Sequence, residues 1–564
     1  MRSCVHLAPT AVQRVVFRGD SGAFRSTSLY DLCRALFVFR LCASRRLVSQ
    51  APKLLKTSEA LVGRWLTYNT FVKWSVFDHF CAATNADNLA PNLSRLSRNL
   101  IGPILDYAAE ADVDGGGDAE VLETNLQTAL LRDNFRYSSS GDALFDANTQ
   151  LFHDCMLHAS NHLPPSGIAF SAIKVSGLCE PQLLVRVTAM LLSLRQGWVS
   201  LFVQAAPPPI EDCRVVINRS LQPSQRCITR ANFIDGILRL SSKNKGAVTR
   251  DEAAALAIEL DPQGTGSVDY LDYTNQVGCQ LLSTGDVTPG EKVVPGRRVV
   301  TNPSPAMKKL LECLPRLTSS ERKSLRLFED RLFGILNRAV ALKVRVMVDA
   351  EQSYLQMAID HYVRELQREY NKKQPIVYNT YQCYLNYTSL RLQNDLQRAQ
   401  REKWMWAGKM VRGAYMEQER ALAVHHKYPS PIHDTKAQTD DCYDRCAAAI
   451  LDLIAKPESE PIGVLFGSHN ATSLQAIADR VFDLQIVPHR GEISFAQLYG
   501  MSDHLTLPLA HAGYNTFKYV PYGPVHETIP YLLRRANENS TMASMADTER
   551  GIMWAELKRR MFLR

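Results

Sequence analysis

Eight short apolar runs, each closing on polar residues and most followed by a helix-patterned segment, constrain the fold of this chain more than any other feature. They are Ile101–Tyr107, Ile168–Val175, Val344–Glu351, Pro375–Gln382, Trp406–Gly413, Ile462–Asn470, Ile493–Leu498 and Thr516–Val520. A strand that repeatedly gives way to a helix pairs in parallel, because the crossover returns the chain to the same end of the sheet. Eight such units close a (β/α)8 barrel of the TIM type, and the polar strand ends then gather at one mouth. The predicted fold class is therefore α/β, and the functional side chains are expected at the C-terminal ends of the strands.

The chain is long enough at 564 residues to carry additions to such a barrel. From Ser28 to Cys81 the apolar residues recur at helical spacing with Pro52 as the sole proline, so an α-helical N-terminal region is predicted over 19–99. Ahead of it, residues 1–18 carry Arg2, Arg14 and Arg18 and no acid, the pattern of a mitochondrial transit peptide. The barrel is expected over 100–205, with Asp112–Asp118 as a surface loop, and again over 299–564. The interval between the second and third strands, about 170 residues, far exceeds a simple crossover. Its middle, 206–298, reads as an inserted EF-hand-like helical module with two twelve-residue windows. Ser241–Glu252 has Gly246, Val248 and Glu252 at the key places, and Asp261–Asp272 has Gly266, Val268 and Asp272. Lys243 and Lys245 stand where calcium needs oxygen, so a structural spacer is expected over a calcium sensor.

Charge and motifs narrow the function. The net +8 arises from 65 basic and 57 acidic residues without a concentrated patch, which argues against nucleic-acid binding. The 13 cysteines lack paired spacing and point to a reducing compartment. No apolar run approaches the ~20 residues of a membrane span, so any membrane contact is expected to be peripheral. There is no G-x-G-x-x-G, P-loop, H-E-x-x-H or C-x-x-C pair, and no catalytic metal is predicted.

What remains are strand-end residues. Lys174 can serve as a Schiff-base lysine or a carboxylate partner. Asp349, ending an apolar run, requires a cation such as Lys174 or an arginine. His469–Asn470 supplies hydrogen-bonding heads, Gly413 admits close backbone approach, and Tyr415 offers an aromatic wall. After the last strand, Arg534 and Arg535 on one helix turn can grip a small carboxylate, although Glu538 lies four residues after Arg534 and can pair with it. Two classes stay open on these residues: an aldolase-type barrel using Lys174 covalently, and a cofactor-dependent barrel in which the arginines hold a small acid.

The segments VRVMVDAEQSY (344–354), YNTYQCYL (378–385), KMVRGAY (409–415), Ser468-His469-Asn470, FAQLYGM (495–501), YVPYGPV (519–525) and YLLRRANEN (531–539) resemble, in order, the proline dehydrogenase family. The stretch from Phe17 to Cys42 and the EF-hand-like insertion resemble its animal mitochondrial members. The resemblance implies an FAD-bearing barrel, on the matrix side of the mitochondrial inner membrane, that oxidises L-proline to Δ1-pyrroline-5-carboxylate. This is the first step of proline catabolism, by hydride transfer from the substrate C5 to flavin N5, with electrons passed to ubiquinone. It implies that Arg534, Arg535 and Lys174 hold the substrate carboxylate with Asp349 orienting them, and that Tyr415, Tyr519, Met410 and Leu498 enclose the ring. It places Gln382, Lys409, Val411, Gly413, Ala414, His469, Asn470, Gln497 and Glu538 at the flavin, with Thr439 beside them. Lys409 stands where bacterial members often carry arginine. Hydroxyproline dehydrogenase resembles the chain along the same length; its members commonly have serine at the position of Tyr519, and a tyrosine there is expected to crowd a 4-hydroxyl. The Lys174 aldolase-type barrel remains the more distant alternative.

Overall fold

The computed structural model describes residues 12–17, 24–25, 27–107, 141–164, 166–201, 226–241, 248–283, 303–456, 461–486, 491–541 and 543–562. Most of the transit-peptide segment, the loop 112–118, and Lys243, Lys245 and Gly246 lie outside the described residues.

Ten strands are described: β1 (Gly102–Tyr107), β2 (Ala169–Ile173), β3 (Cys227–Thr229), β4 (Ser267–Asp269), β5 (Val344–Val348), β6 (Val377–Gln382), β7 (Ala407–Val411), β8 (Ile462–Gly467), β9 (Gly491–Leu498) and β10 (Asn515–Tyr522). Eight of them close a barrel in the order β1-β10-β9-β8-β7-β6-β5-β2, every neighbouring pair parallel. Each of the eight apolar runs supplies one of these strands. The interior is filled by alternate residues, including Ile104, Phe170, Met347, Tyr378, Leu465 and Phe517. Small residues make room for the rings: a Cβ on Gly102 would fall 2.5 Å from the Phe517 ring, and one on Gly463 2.5 Å from the Tyr378 hydroxyl. At the N-terminal end Arg345 and Glu492 pair across the interior, with the Tyr378 hydroxyl donating to Glu492 at 3.1 Å. The barrel is thus a packed core whose C-terminal end is lined by buried polar residues.

The interval between β2 and β5 carries the helix Pro181–Ser200, buried along nearly its whole length. Against it pack the insertion helices Arg230–Ser241, Arg250–Glu259 and Tyr270–Leu281, which share one core with it through Trp198, Phe233, Leu256, Val268 and Tyr273. β3 and β4 pair antiparallel, Ile228 opposite Val268. The partner strand of the second window therefore comes from upstream of the first window. Within the first, Glu252 closes a capping box on Thr249 and accepts from Lys309 at 2.7 Å. In the second, Asp261 is bound by Arg230 at 2.6 Å, and Asp269 and Asp272 face Arg401 at 2.9 and 3.7 Å.

The helices Leu29–Cys42 and Arg45–Val62 and the π-helix Thr67–Phe77 lie against the mouth side of the barrel. Val38, Cys42, Val72, Phe77 and Phe80 bury Tyr531 and Leu532 of the helix Ile529–Thr541. The following segment is tied to the end of β10, where Ala82 N donates to Pro521 O at 2.9 Å and Gly523 N to Ala83 O at 3.0 Å. The N-terminal region thereby braces the helix that carries Arg534 and Arg535.

Candidate active site

At the open end of the barrel, strand alternation turns Asp106, Lys174, Asp349, Lys409 and Tyr519 toward one another. The Lys174 ammonium donates to both oxygens of Asp106, at 2.7 and 2.9 Å. Asp349 pairs with Lys409 and accepts from the Tyr519 hydroxyl at 2.6 Å. Burial alone would raise the Asp349 carboxyl, but the charges of Lys409 and Lys174 and the bonds from Lys409 and Tyr519 win and hold it below the usual carboxylate range. Burial and the carboxylates of Asp106 and Asp349 push the Tyr519 phenol well up, so it stays protonated and donates. The Lys409 ammonium stands 5.2 Å from the centre of the Tyr519 ring. Sequence reasoning sought the partner of Asp349 in Lys174 or an arginine; the direct ion pairs run Lys174–Asp106 and Lys409–Asp349. Lys174 is thus engaged by the Asp106 carboxylate through both of its oxygens.

Over this network lies the helix Ile529–Thr541. Arg535 is buried, bonded to Glu538 at 2.7 Å and stacked 4.9 Å from the Tyr531 ring centre. Arg534 lies 5.7 Å from the centre of the Tyr415 ring, which joins the helix to the loop after β7. That loop turns at Gly413, where φ is +128° and a Cβ would fall 1.4 Å from the Tyr384 ring. The glycine thus makes room for Tyr384, whose hydroxyl donates to Gln382 Oε1 at 2.9 Å while Gln382 Nε2 donates to Glu351 O at 2.9 Å. Leu498 packs at the edge of the cluster formed by Phe77, Phe80 and Tyr531.

Met410 does not face the mouth. Its neighbour Lys409 points inward, so the two-residue alternation of β7 sends Met410 outward, where it is buried with Tyr381, Trp406, Phe466 and Phe495 beneath the helices. Gln497 has the same outward parity on β9, donating to Ser468 O at 3.2 Å and accepting from Thr506 at 2.9 Å. It holds the turn that presents His469.

Around the β7–β8 side, His469 Nδ1 meets Ser502 Oγ at 2.8 Å. Burial and the nearby charges of Lys518, Arg535, His504 and Arg412 push this imidazole down to about 3, so it is neutral and keeps one donor and one acceptor nitrogen. Asn470 caps the helix Ala471–Asp483, accepting from Thr472 N and Ser473 N at 3.0 and 3.2 Å. Thr439 is buried on the helix Lys436–Ala455, and Val411 and Ala414 flank the Gly413 turn. A residue that sequence reasoning passed over fastens these parts: Arg412 binds Asp440 at 2.6 Å, Ser468 at 2.8 Å and Ser473 at 2.9 Å, and stacks on Tyr443. Lys409, neutral His469, the backbone at Gly413 and the surrounding cations form a donor set whose chemistry fits a polyanionic dinucleotide flavin. Asp106 is the other residue missed, hidden in an apolar run; its position two residues after inward-facing Ile104 was the signal for it.

A family model for proline dehydrogenase matches residues 243–548. A mitochondrial proline dehydrogenase 1 of Caenorhabditis elegans is 30% identical over 96% of this chain and 88% of its own length. A hydroxyproline dehydrogenase of Xenopus laevis is 27% identical over 98% of this chain and 92% of its own. Among solved structures, proline utilization A from Bdellovibrio bacteriovorus inactivated by N-propargylglycine superimposes with a TM-score of 0.50 at 14% identity, covering 92% of this chain and 39% of that one. That likeness concerns the fold.

Proposed function

The chain belongs to the proline dehydrogenase family, and from that premise we propose that it is an FAD-dependent mitochondrial enzyme oxidising L-proline to Δ1-pyrroline-5-carboxylate, with ubiquinone as electron acceptor. The observation that carries the reading is the buried guanidinium of Arg535 beside Arg534, above a mouth that already holds the Lys174–Asp106 and Lys409–Asp349 pairs. Arg534, Arg535 and Lys174 are the cations for the substrate carboxylate, and Asp106 and Asp349 hold Lys174 and Lys409 in place. Tyr519, Tyr415 and Leu498 wall the substrate ring. Lys409, Gln382, Val411, Gly413, Ala414, His469, Asn470, Gln497, Glu538 and Thr439 are the residues assigned to the flavin side, several of them through the turns they hold.

FAD, when bound, supplies the acceptor for the hydride leaving the substrate C5. The chain's part is to orient and to set charge. The cations around the mouth oppose a second positive charge, so they favour loss of the proton on the substrate ring nitrogen. Its lone pair can then form the C5=N bond as C5–H breaks. Fixing the carboxylate at one end and the ring at the other removes rotational freedom before reaction, worth several kcal/mol in intramolecular models.

A membrane-dissolved quinone requires access to the membrane surface, and the N-terminal helices carry a face suited to it. Leu61, Val62, Trp65, Phe71 and Trp74 are exposed, Leu61 by 78% and Trp65 by 71%. From Arg45 to Phe77 there are six basic residues and one acidic, a local basic excess that corrects the reading of the charge as lacking any concentrated patch. Exposed apolar and tryptophan side chains in a segment rich in basic residues match an anionic bilayer surface. No described helix is long and apolar enough to cross a membrane.

The substrate clamp is tested by Arg535→Ala. Removing a charge-assisted contact worth about 1.5–3 kcal/mol should raise the proline KM by roughly ten- to a hundredfold with flavin content unchanged. An unaltered KM overturns the assignment.

A further inference from the structure

Three cysteines from two separate parts of the sequence meet on the outer side of the barrel mouth. Cys383 follows the last residue of β6, and Cys442 and Cys446 lie one turn apart on the helix Lys436–Ala455. Their sulfur atoms all lie within 4.8 Å of one another, all three residues are buried, and all are free thiols. His433 stands at the entrance of the same helix, fixed by its backbone N–H donating to Tyr384 O at 2.8 Å. Its ring lies beside Cys442, and its Nε2 is buried with no hydrogen-bond partner among the described residues.

Buried cysteines are commonly small hydrophobes, and one or two here would need no further account. Three converging sulfurs with an imidazole beside one of them is a different arrangement. Four tetrahedral ligands at the usual ~2.3 Å zinc–sulfur length place sulfurs about 3.8 Å apart, within the spread seen here. Soft thiolates with one imidazole select zinc over calcium or magnesium, and a fourth protein ligand leaves no open position for chemistry.

We propose that Cys383, Cys442, Cys446 and His433 form a structural zinc site. The ion takes the place of the thiol protons, which leave to solvent as the site loads. It would pin the helix Lys436–Ala455 to the end of β6. The same helix carries Asp440, which holds Arg412, so the ion would stiffen the wall next to Gly413 and His469 from behind. The assignment does not depend on the redox reading of the mouth. No C-x-x-C pair announces it, because two of the thiols are spaced by a helical turn and the third lies far upstream.

The test is metal content of the full-length protein purified without chelator, read by mass spectrometry. The expected result is about one zinc per chain, as for a closed structural site. Cys442→Ser should remove most of it, and His433→Asn, a milder change at a partly exposed position, should weaken it without unfolding the protein. Cobalt added to the stripped wild type should produce a thiolate-to-cobalt charge-transfer band. Absence of zinc together with absence of that band on cobalt titration, while all three thiols titrate as reduced, overturns the proposal. So does zinc retained at full stoichiometry in Cys442→Ser, or stoichiometric iron or copper in place of zinc.

Discussion

Tyr519 carries the sharpest consequence at the scale of single residues. Its hydroxyl is held by Asp349 at 2.6 Å and its ring lies under Lys409, so the phenol is anchored and cannot swing aside for a larger substrate. Tyr519→Ser removes the ring and should shift the ratio of kcat/KM for 4-hydroxyproline over proline upward, by roughly tenfold or more, the scale on which pockets discriminate small groups. A wild type that prefers hydroxyproline contradicts this use of the residue. Other residues mark how far sequence reasoning reached. Arg535 and Tyr519 were assigned to the substrate only by the family resemblance, whereas Lys174 and Asp349 were legible because polar groups ending apolar runs converge in a barrel. The partner of Lys174 was not, since β2 is flanked by both β1 and β5, and only side-chain placement chooses Asp106 over Asp349. Met410 was misplaced although its signal was present: once Lys409 is inward, its neighbour faces the helices.

Among elements, the barrel strands were readable end to end, because an apolar run with a polar terminus repeats eight times. The insertion was not readable to the same depth. Two windows fit a loop pattern by glycine and acid spacing, yet β4 pairs with β3, and Glu252 serves a helix cap. Short three-residue pairings depend on which segments meet in space, which local spacing does not encode. The N-terminal helices make the opposite point: their composition showed helix, while their exposed aromatic face appears only once the inner side is seen buried on Tyr531 and Leu532. If that face meets a bilayer, the double substitution Trp65→Ser and Trp74→Ser should reduce co-sedimentation with vesicles of phosphatidylcholine and an anionic phospholipid by roughly tenfold, with turnover in detergent retained. Binding of the wild type should weaken as salt rises, because part of the attraction is screened charge. Vesicle binding indifferent to both changes would remove this surface from the account.

For the whole molecule, buried imidazoles set an acid limit. His79 and His361 are pushed down to about 4 and His469 to about 3, burial being the first cause in each, with Arg34 adding to it at His79, Lys518 at His469, and Glu365 partly opposing it at His361. The unfolded chain protonates these groups near 6.5, whereas the folded chain does so only near their depressed values. Stability is therefore full above about 6.5 and falls as pH drops toward 4, by roughly 2 kcal/mol for each such histidine at pH 5. The unfolding midpoint should decline steeply across that window, and a flat profile there would mean that these rings are hydrated. His79 belongs to the N-terminal brace, His361 to the helix Ser353–Tyr370 and His469 to the mouth, so acid should loosen all three together.

The claim that unites these scales is that the mouth binds a flavin and delivers electrons from proline to it. It is tested most directly by the visible spectrum of the purified full-length protein, titrated with L-proline without oxygen. The account predicts a yellow protein whose flavin absorbance bleaches as proline is added and returns on adding a quinone. A protein that carries no flavin, or one whose flavin proline leaves oxidised, would contradict it.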